Sequence, residues 1–120
     1  MQKIECPFCD KKIINSQRIL ESESFYLLIN TNPLCPGHSL IVSKDHILRE
    51  SEISNWKDYN RILLASYKYV IKRYGIEPIN YINSPQSFSV PHFHRHLVPY
   101  PFVPHDIDQA LRKVVERGKR

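Results

Sequence analysis

At 120 residues, 42% of them apolar, the chain is long enough for a single domain whose hydrophobic core needs no disulfide support. No apolar run approaches the roughly 20 residues of a membrane span, and Met1-Gln2-Lys3-Ile4-Glu5 lacks a signal-peptide core, so a cytoplasmic protein without membrane attachment is expected. The net charge of +5 favours anionic partners but does not separate a nucleotide from a nucleic acid.

The first element is Cys6-Pro7-Phe8-Cys9. A Cys-x-x-Cys knuckle aims two thiolates at one ion, most often zinc. A redox pair would need a preceding strand, for which the five residues before Cys6 leave little room. Two idle thiols are the third reading, because the remaining ligands of a metal must come from far along the chain.

Phe25-Tyr26-Leu27-Leu28-Ile29 reads as a buried strand and Ser39-Leu40-Ile41-Val42-Ser43 as its antiparallel neighbour. Between them, the prolines and glycine of Asn30 to His38 make a rigid turn, a good place to hold a ligand. Cys35, between Leu34 and Pro36, is expected to be a packing residue. His46 follows the second strand at a separation that lets it return to the knuckle, although on its own a histidine there is more often an ordinary surface residue.

From about Ser51 to Tyr74 the positions Ile53, Trp56, Leu63, Val70 and Tyr74, with Ile62, Tyr67 and Ile71 beside them, predict one core-packing helix. Ser51 or Ser54 would cap its start and Gly75 its end. Ile79-Asn80-Tyr81-Ile82-Asn83 predicts a third central strand, and Ser84-Pro85-Gln86-Ser87 turns the chain back. Asn83 and Ser89 stand at the lips of that turn, where a phosphate or ribose could be held.

The chemistry concentrates in the next stretch, Ser89 to Pro99, where His92, His94 and His96 take three alternate positions. On a strand, period-2 geometry turns all three to one face in steps of roughly 6–7 Å, and Pro91 and Pro99 bracket the run. Such a wall can ligate a metal, or it can present a neutral imidazole as nucleophile between rings that fix its tautomer and bind its target. Beyond Pro104, Asp106 and Gln109 have capping-box spacing, and Ile107, Ala110 or Leu111, and Val114 predict a short terminal helix. His105 is given no role, and Arg117-Gly118-Lys119-Arg120 reads as a solvated tail.

Nearly the whole chain, Cys6 to Pro99, resembles the histidine triad (HIT) family of nucleotide hydrolases and transferases. Four motifs stand in that family's order: the knuckle, Asn30-x-x-Pro33-x-x-Pro36-Gly37-His38, Lys44-x-His46, and Ser89-Val90-x-His92-x-His94-x-His96-Leu97-Val98-Pro99. The resemblance implies one α+β domain over residues 1–120: a mostly antiparallel sheet of about five strands, one long helix and a short C-terminal helix. Residues 6–46 would carry the knuckle and nucleotide-binding strands, 51–74 the long helix, 79–99 the catalytic strands and 104–120 an extension.

It also implies roles. His94 would attack the α-phosphorus of an adenylated small molecule or dinucleoside polyphosphate and form a covalent nucleotidyl-histidine. His96 and His38 would position the phosphate and the imidazole, Asn30 would hold the ribose, and Asn83 and Ser89 would lie near the phosphate and leaving group. Cys6, Cys9, His46 and His92 match the ligands of a structural zinc in the zinc-containing branch. A homodimer and an adenosine-containing substrate are the implied partners.

Three departures from the family pattern stand out. Arg95 replaces the usual apolar residue and would turn an exposed or acid-binding face away from the histidines. The turn before the triad is short, with Phe88 where glutamine is common, and the extension from Pro104 to Arg120 lies outside the shared motifs. Two other functions are compatible with the residues alone: a hydrolase using the histidines as a catalytic metal site with His38 as a further ligand, and a nucleic-acid-binding or adenylate-removing module. The sequence lacks the basic helix face and aromatic platform that the last would need.

Overall fold

The computed structural model describes residues 6–31, 33–82 and 90–100. Five strands, β1 (Arg18–Glu21), β2 (Phe25–Ile29), β3 (Ser39–Ser43), β4 (Ile79–Tyr81) and β5 (His94–Val98), form one sheet in the order β1-β2-β3-β5-β4. Every neighbouring pair is antiparallel. A short helix α1 (Lys11–Gln17) and a long helix α2 (Trp56–Tyr74) complete the expected α+β architecture. The predicted terminal helix, and with it Asn83 and Ser89, lies outside the described residues.

The sheet separates two cores. Phe25, Leu27, Ile41 and Leu97 face α2 and pack with Ile53, Tyr59, Ile62 and Val70. Leu28, Leu40 and Val42 face the other way, against Cys6, Phe8 and Ile14 of the N-terminal segment. Strand alternation makes this division, and burying either set is the main favourable contribution to folding.

Four expectations are corrected. Of the run expected as a third central strand, Ile79–Tyr81 forms an edge strand beside β5 rather than a central one. Its weak alternation reflects an element paired on one side only and half-buried throughout. Second, α2 begins at Trp56 because Asn55, not Ser51 or Ser54, accepts a hydrogen bond from the Asp58 amide at 3.0 Å. Residues Glu50–Glu52 form a separate 3-10 turn, and Ile53 behind it is extended. Gly75 does end the helix, in the left-handed conformation at φ 75°, donating to the Ile71 carbonyl at 2.8 Å.

Third, the buried stripe of α2 is Tyr59, Ile62, Ser66 and Val70, whereas Trp56, Ile71 and Tyr74 are exposed. The polar Asp58 and Ser66 fall within the buried face and disguise its phase. Fourth, α1 and β1 were not foreseen. Two turns of helix give too few residues for a periodic signal, and the Asp10 side chain starts them by accepting from the Lys12 amide at 2.9 Å.

Buried Asp58 ties α2 to the β1–β2 hairpin. Its carboxylate accepts from the Ser22 hydroxyl at 2.7 Å and the Ser24 amide at 2.8 Å. Burial alone would raise its pKa, but these hydrogen bonds outweigh it and leave the carboxyl below its ordinary value. A depressed folded pKa makes the contribution present above the unfolded value, and lost as pH falls through the folded one. Asp58→Ala should therefore cost about 1–3 kcal/mol at pH 7 in urea unfolding, with the deficit shrinking below about pH 4. A deficit independent of pH would contradict this reading.

Candidate active site

The register of β5 against β3 fixes what each histidine faces. His94 lies opposite Val42 and His96 opposite Leu40, on the face of α1 and the knuckle, while Arg95 lies opposite Ile41 on the face of α2. His92 precedes the strand, yet its ring packs on the same aromatic wall. Phe8 stands edge-on to both His92 and His94, with centroids 5.7 and 5.5 Å away. The three rings therefore share one side of the backbone, as alternation requires.

Backbone groups decide where each ring carries its proton. The His94 Nδ1 lies 2.8 Å from the His92 carbonyl, which can only accept, so Nδ1 is the protonated nitrogen and the lone pair resides on Nε2. The reverse holds at His38, where Nδ1 accepts from the Leu34 amide at 3.1 Å. Its proton is then on Nε2, which donates to His96 Nδ1 at 2.9 Å. His96 must in turn carry its own proton on Nε2, a buried atom with no hydrogen-bond partner among the described residues. One backbone amide thus directs a donor at the site, and one backbone carbonyl directs a lone pair beside it.

The neighbouring residues hold this arrangement. The loop bearing His38 is closed by Asn30 donating from its amide to the His38 carbonyl at 3.0 Å. The Asn30 side-chain amide nitrogen lies 3.1 Å from His38 Nε2 and 3.4 Å from its Nδ1, packed against the ring. Tyr81 stacks on His96 at 4.4 Å with the rings 6° from parallel. The sequence reading gave Tyr81 no role, although its place opposite His96 follows from the β4–β5 register. Phe8 was missed as well, hidden between the two cysteines.

Burial, followed by the nearby His94 and His38 rings, pushes the His96 pKa down to about 2. Burial also lowers that of His94, with the His92 carbonyl opposing. Both rings are neutral at pH 7, which a nucleophile requires of His94 and an uncharged donor of His96.

A second cluster adjoins the first. Cys6, Cys9, His46 and His92 bring their ligand atoms within 4.8 Å of one another and could hold a metal ion. Cys9 Sγ is 3.1 Å from His46 Nδ1 and 3.7 Å from His92 Nδ1, Cys6 Sγ is 3.4 Å from His92 Nδ1, and the two Nδ1 atoms are 3.1 Å apart. Tetrahedral coordination at ordinary bond lengths requires separations of about 3.3–3.8 Å, so two of these four distances match and the two at 3.1 Å would open slightly around an ion. His92 Nε2 donates to the Ser43 carbonyl at 2.7 Å, which turns a bare Nδ1 toward the cluster. Among the described residues no comparable group forms from His38, His94 and His96, so a catalytic metal site there gains no support. Cys35 is buried outside the cluster, as a packing residue.

Arg95 corrects one expectation. Its face is neither solvent-exposed nor a site for an acidic partner, because the chain supplies the acid: Nη1 lies 3.2 Å from Glu50 Oε2 and donates to the Tyr59 hydroxyl at 2.8 Å, and Nε donates to Asn80 Oδ1 at 3.1 Å. Tyr59 donates to the same Glu50 oxygen at 2.7 Å, and burial, together with that carboxylate, pushes its pKa up to about 12. A charge within an otherwise apolar face is thus fully engaged beneath the histidines.

Comparison with known proteins accords with this geometry. The family model described as HIT domain matches residues 11–102. Bis(5'-adenosyl)-triphosphatase of Saccharomyces cerevisiae is 30% identical over 98 residues, covering 77% of this chain and 48% of that protein. The chain thus spans about half the length of the curated triphosphatase it matches. An uncharacterized HIT-like protein of Mycoplasma genitalium is 28% identical over 102 residues, covering 78% of this chain and 72% of that one. Among solved structures, an HIT family hydrolase from Clostridium thermocellum superposes with a TM-score of 0.67 at 29% identity, covering 83% of this chain and 95% of the other. An HIT family member from Bacillus subtilis has a TM-score of 0.70 at 20% identity, covering 94% and 96%, and speaks for the fold alone.

Nitrogen-15 spectra of the imidazoles should find His94 protonated on Nδ1 and His96 on Nε2, with His96 unresponsive between pH 8 and pH 5. Its folded pKa lies below an unfolded value of about 6.5, so only the unfolded chain gains this proton between the two. Stability is then undiminished above about pH 6.5 and falls as pH drops below it, by up to about 1.4 kcal/mol per pH unit from this residue. A His96 ring that titrates near pH 6.5 would contradict the assignment.

Proposed function

Since the chain belongs to the HIT domain family, we propose that it is a hydrolase cleaving adenosine-containing nucleotides at the α-phosphate, with dinucleoside polyphosphates or adenylated small molecules as substrates. The observation that carries this reading is the pairing of a His94 Nε2 lone pair with a His96 Nε2–H that has no partner among the described residues, on one buried wall. A phosphorus centre needs an attacker in line with its leaving group and donors on its non-bridging oxygens. The name of the yeast relative adds the substrate class, bis-adenosyl triphosphate.

In the proposed reaction, His94 Nε2 forms a bond to the α-phosphorus while the bridging P–O bond breaks, and ADP leaves with the electron pair. His96 Nε2–H stabilises the charge on a phosphoryl oxygen, and His38 fixes the orientation of His96. Water then attacks phosphorus, the P–N bond returns its electrons to Nε2, and AMP is released with the water's remaining proton passing to solvent. Asn30, at the end of β2, takes the ribose hydroxyls, and Asn83 and Ser89 serve the phosphate and leaving group.

The Cys6, Cys9, His46 and His92 cluster suits zinc, since two thiolates and two imidazoles fill a tetrahedron and leave no position for water. The ion would then be structural, joining the N-terminal segment to the residue two before His94. The rest of the reading is a single domain in the cytoplasm, where Cys6, Cys9 and Cys35 stay reduced. None of the described helices is long and apolar enough to cross a membrane. A homodimer is part of it too, supported by the edge position of β4 and by exposed Leu64 and Ile71 on α2.

Incubation with diadenosine triphosphate should release AMP and ADP in equal amounts. His94→Ala should slow this at least about a thousandfold, the scale on which enzymes lose a nucleophile; undiminished turnover would refute the assignment. Metal analysis should find one zinc per chain, lost in Cys6→Ser together with thermal stability and part of the activity. Retention of the zinc in Cys6→Ser would remove the cluster from the account.

A further inference from the structure

A cavity of about 280 Å³ opens on the α2 side of the sheet, lined by Ile19, Ile29, Ser39, Tyr69, Arg73 and Tyr74. It is distinct from the catalytic wall, because Ser39 pairs with Ile29 and Leu97 on the face that α2 covers, while His94 and His96 face away. The two sites meet at Gly37 and His38, which close one end of the cavity.

The lining is unusual in its chemistry. Among the described residues, two isoleucines and two tyrosines make the walls largely apolar, no acidic side chain lines them, and the one formal charge is the Arg73 guanidinium, 5.8 Å from the Tyr74 ring centroid. Ser39 is only 1% exposed, so its hydroxyl, which has no hydrogen-bond partner among the described residues, lies behind the cavity wall. Tyr74 is fixed by the backbone of Gly37: at φ 91°, a Cβ there would stand 2.7 Å from the tyrosine ring and 2.9 Å from Pro99 Cγ. The wall is therefore pre-formed and leaves no room for a side chain at position 37.

We infer that this cavity is a binding site for a small planar aromatic anion, a ring system carrying one carboxylate or phosphate. The ring lies between the tyrosines and isoleucines, and the anionic group pairs with Arg73. The volume, near the lower end for ligand pockets, suits one fused ring system rather than a whole dinucleotide. Its position behind His38 places the ligand against the residue that orients His96, without contact with the nucleophile.

Calorimetric titration with 2-naphthoate and with its uncharged amide, 2-naphthamide, tests the assignment regardless of whether the chain hydrolyses anything. The intact protein should bind 2-naphthoate at least about tenfold more tightly than 2-naphthamide. Arg73→Gln, at an exposed position that leaves the fold intact, should abolish that preference, consistent with loss of one charge-assisted hydrogen bond. Equal affinity for the two probes, no binding at millimolar concentration, or an Arg73→Gln variant that binds as the parent does would each overturn the proposal.

Discussion

The arrangement depends on the direction of two backbone hydrogen bonds. The His92 carbonyl can only accept, and the Leu34 amide can only donate. The first leaves the His94 lone pair on Nε2. The second, passed through His38, leaves a proton on His96 Nε2. Neither assignment relies on an ionised side chain. Both therefore persist in a buried site where a charged imidazole would be expensive, and where burial has moved His94 and His96 away from protonation.

Both bonds are held by the fold. The His92 carbonyl is fixed because its ring is hydrogen-bonded to the Ser43 carbonyl and the next residue, Phe93, donates its amide to the Ile47 carbonyl at 2.6 Å. Phe8, lying between the knuckle cysteines and touching His92 and His94, carries the position of the N-terminal segment to the His94 ring. An ion on Cys6, Cys9, His46 and His92 would stiffen the same connection. On the opposite face Arg95 bonds Glu50, Tyr59 and Asn80, so the strand is clamped from both sides by side chains of its own chain.

Much of this was legible in the residues. Alternation of His92, His94 and His96 gave the shared wall, the β2 and β3 runs gave the central hairpin, and spacing brought His46 back to the knuckle. What escaped was set by tertiary pairing. Tyr81 became a stacking partner only through the β4–β5 register, and Arg95 found its acid in a turn 45 residues away. The buried stripe of α2 was misphased because Asp58 and Ser66 are polar, yet Asp58 is buried to satisfy the Ser22 hydroxyl and Ser24 amide. The cap at Asn55 rather than Ser51 or Ser54 depended on a 3-10 turn that no periodicity announces.

The central claim is that His94, not water, meets phosphorus first. The most direct measurement is the stereochemical course of hydrolysis at the α-phosphorus of a dinucleoside triphosphate made chiral there by sulfur and isotopic oxygen. Two successive in-line displacements, through a nucleotidyl-His94, predict net retention of configuration in the released nucleotide. Net inversion would mean a single displacement by water and would contradict the account.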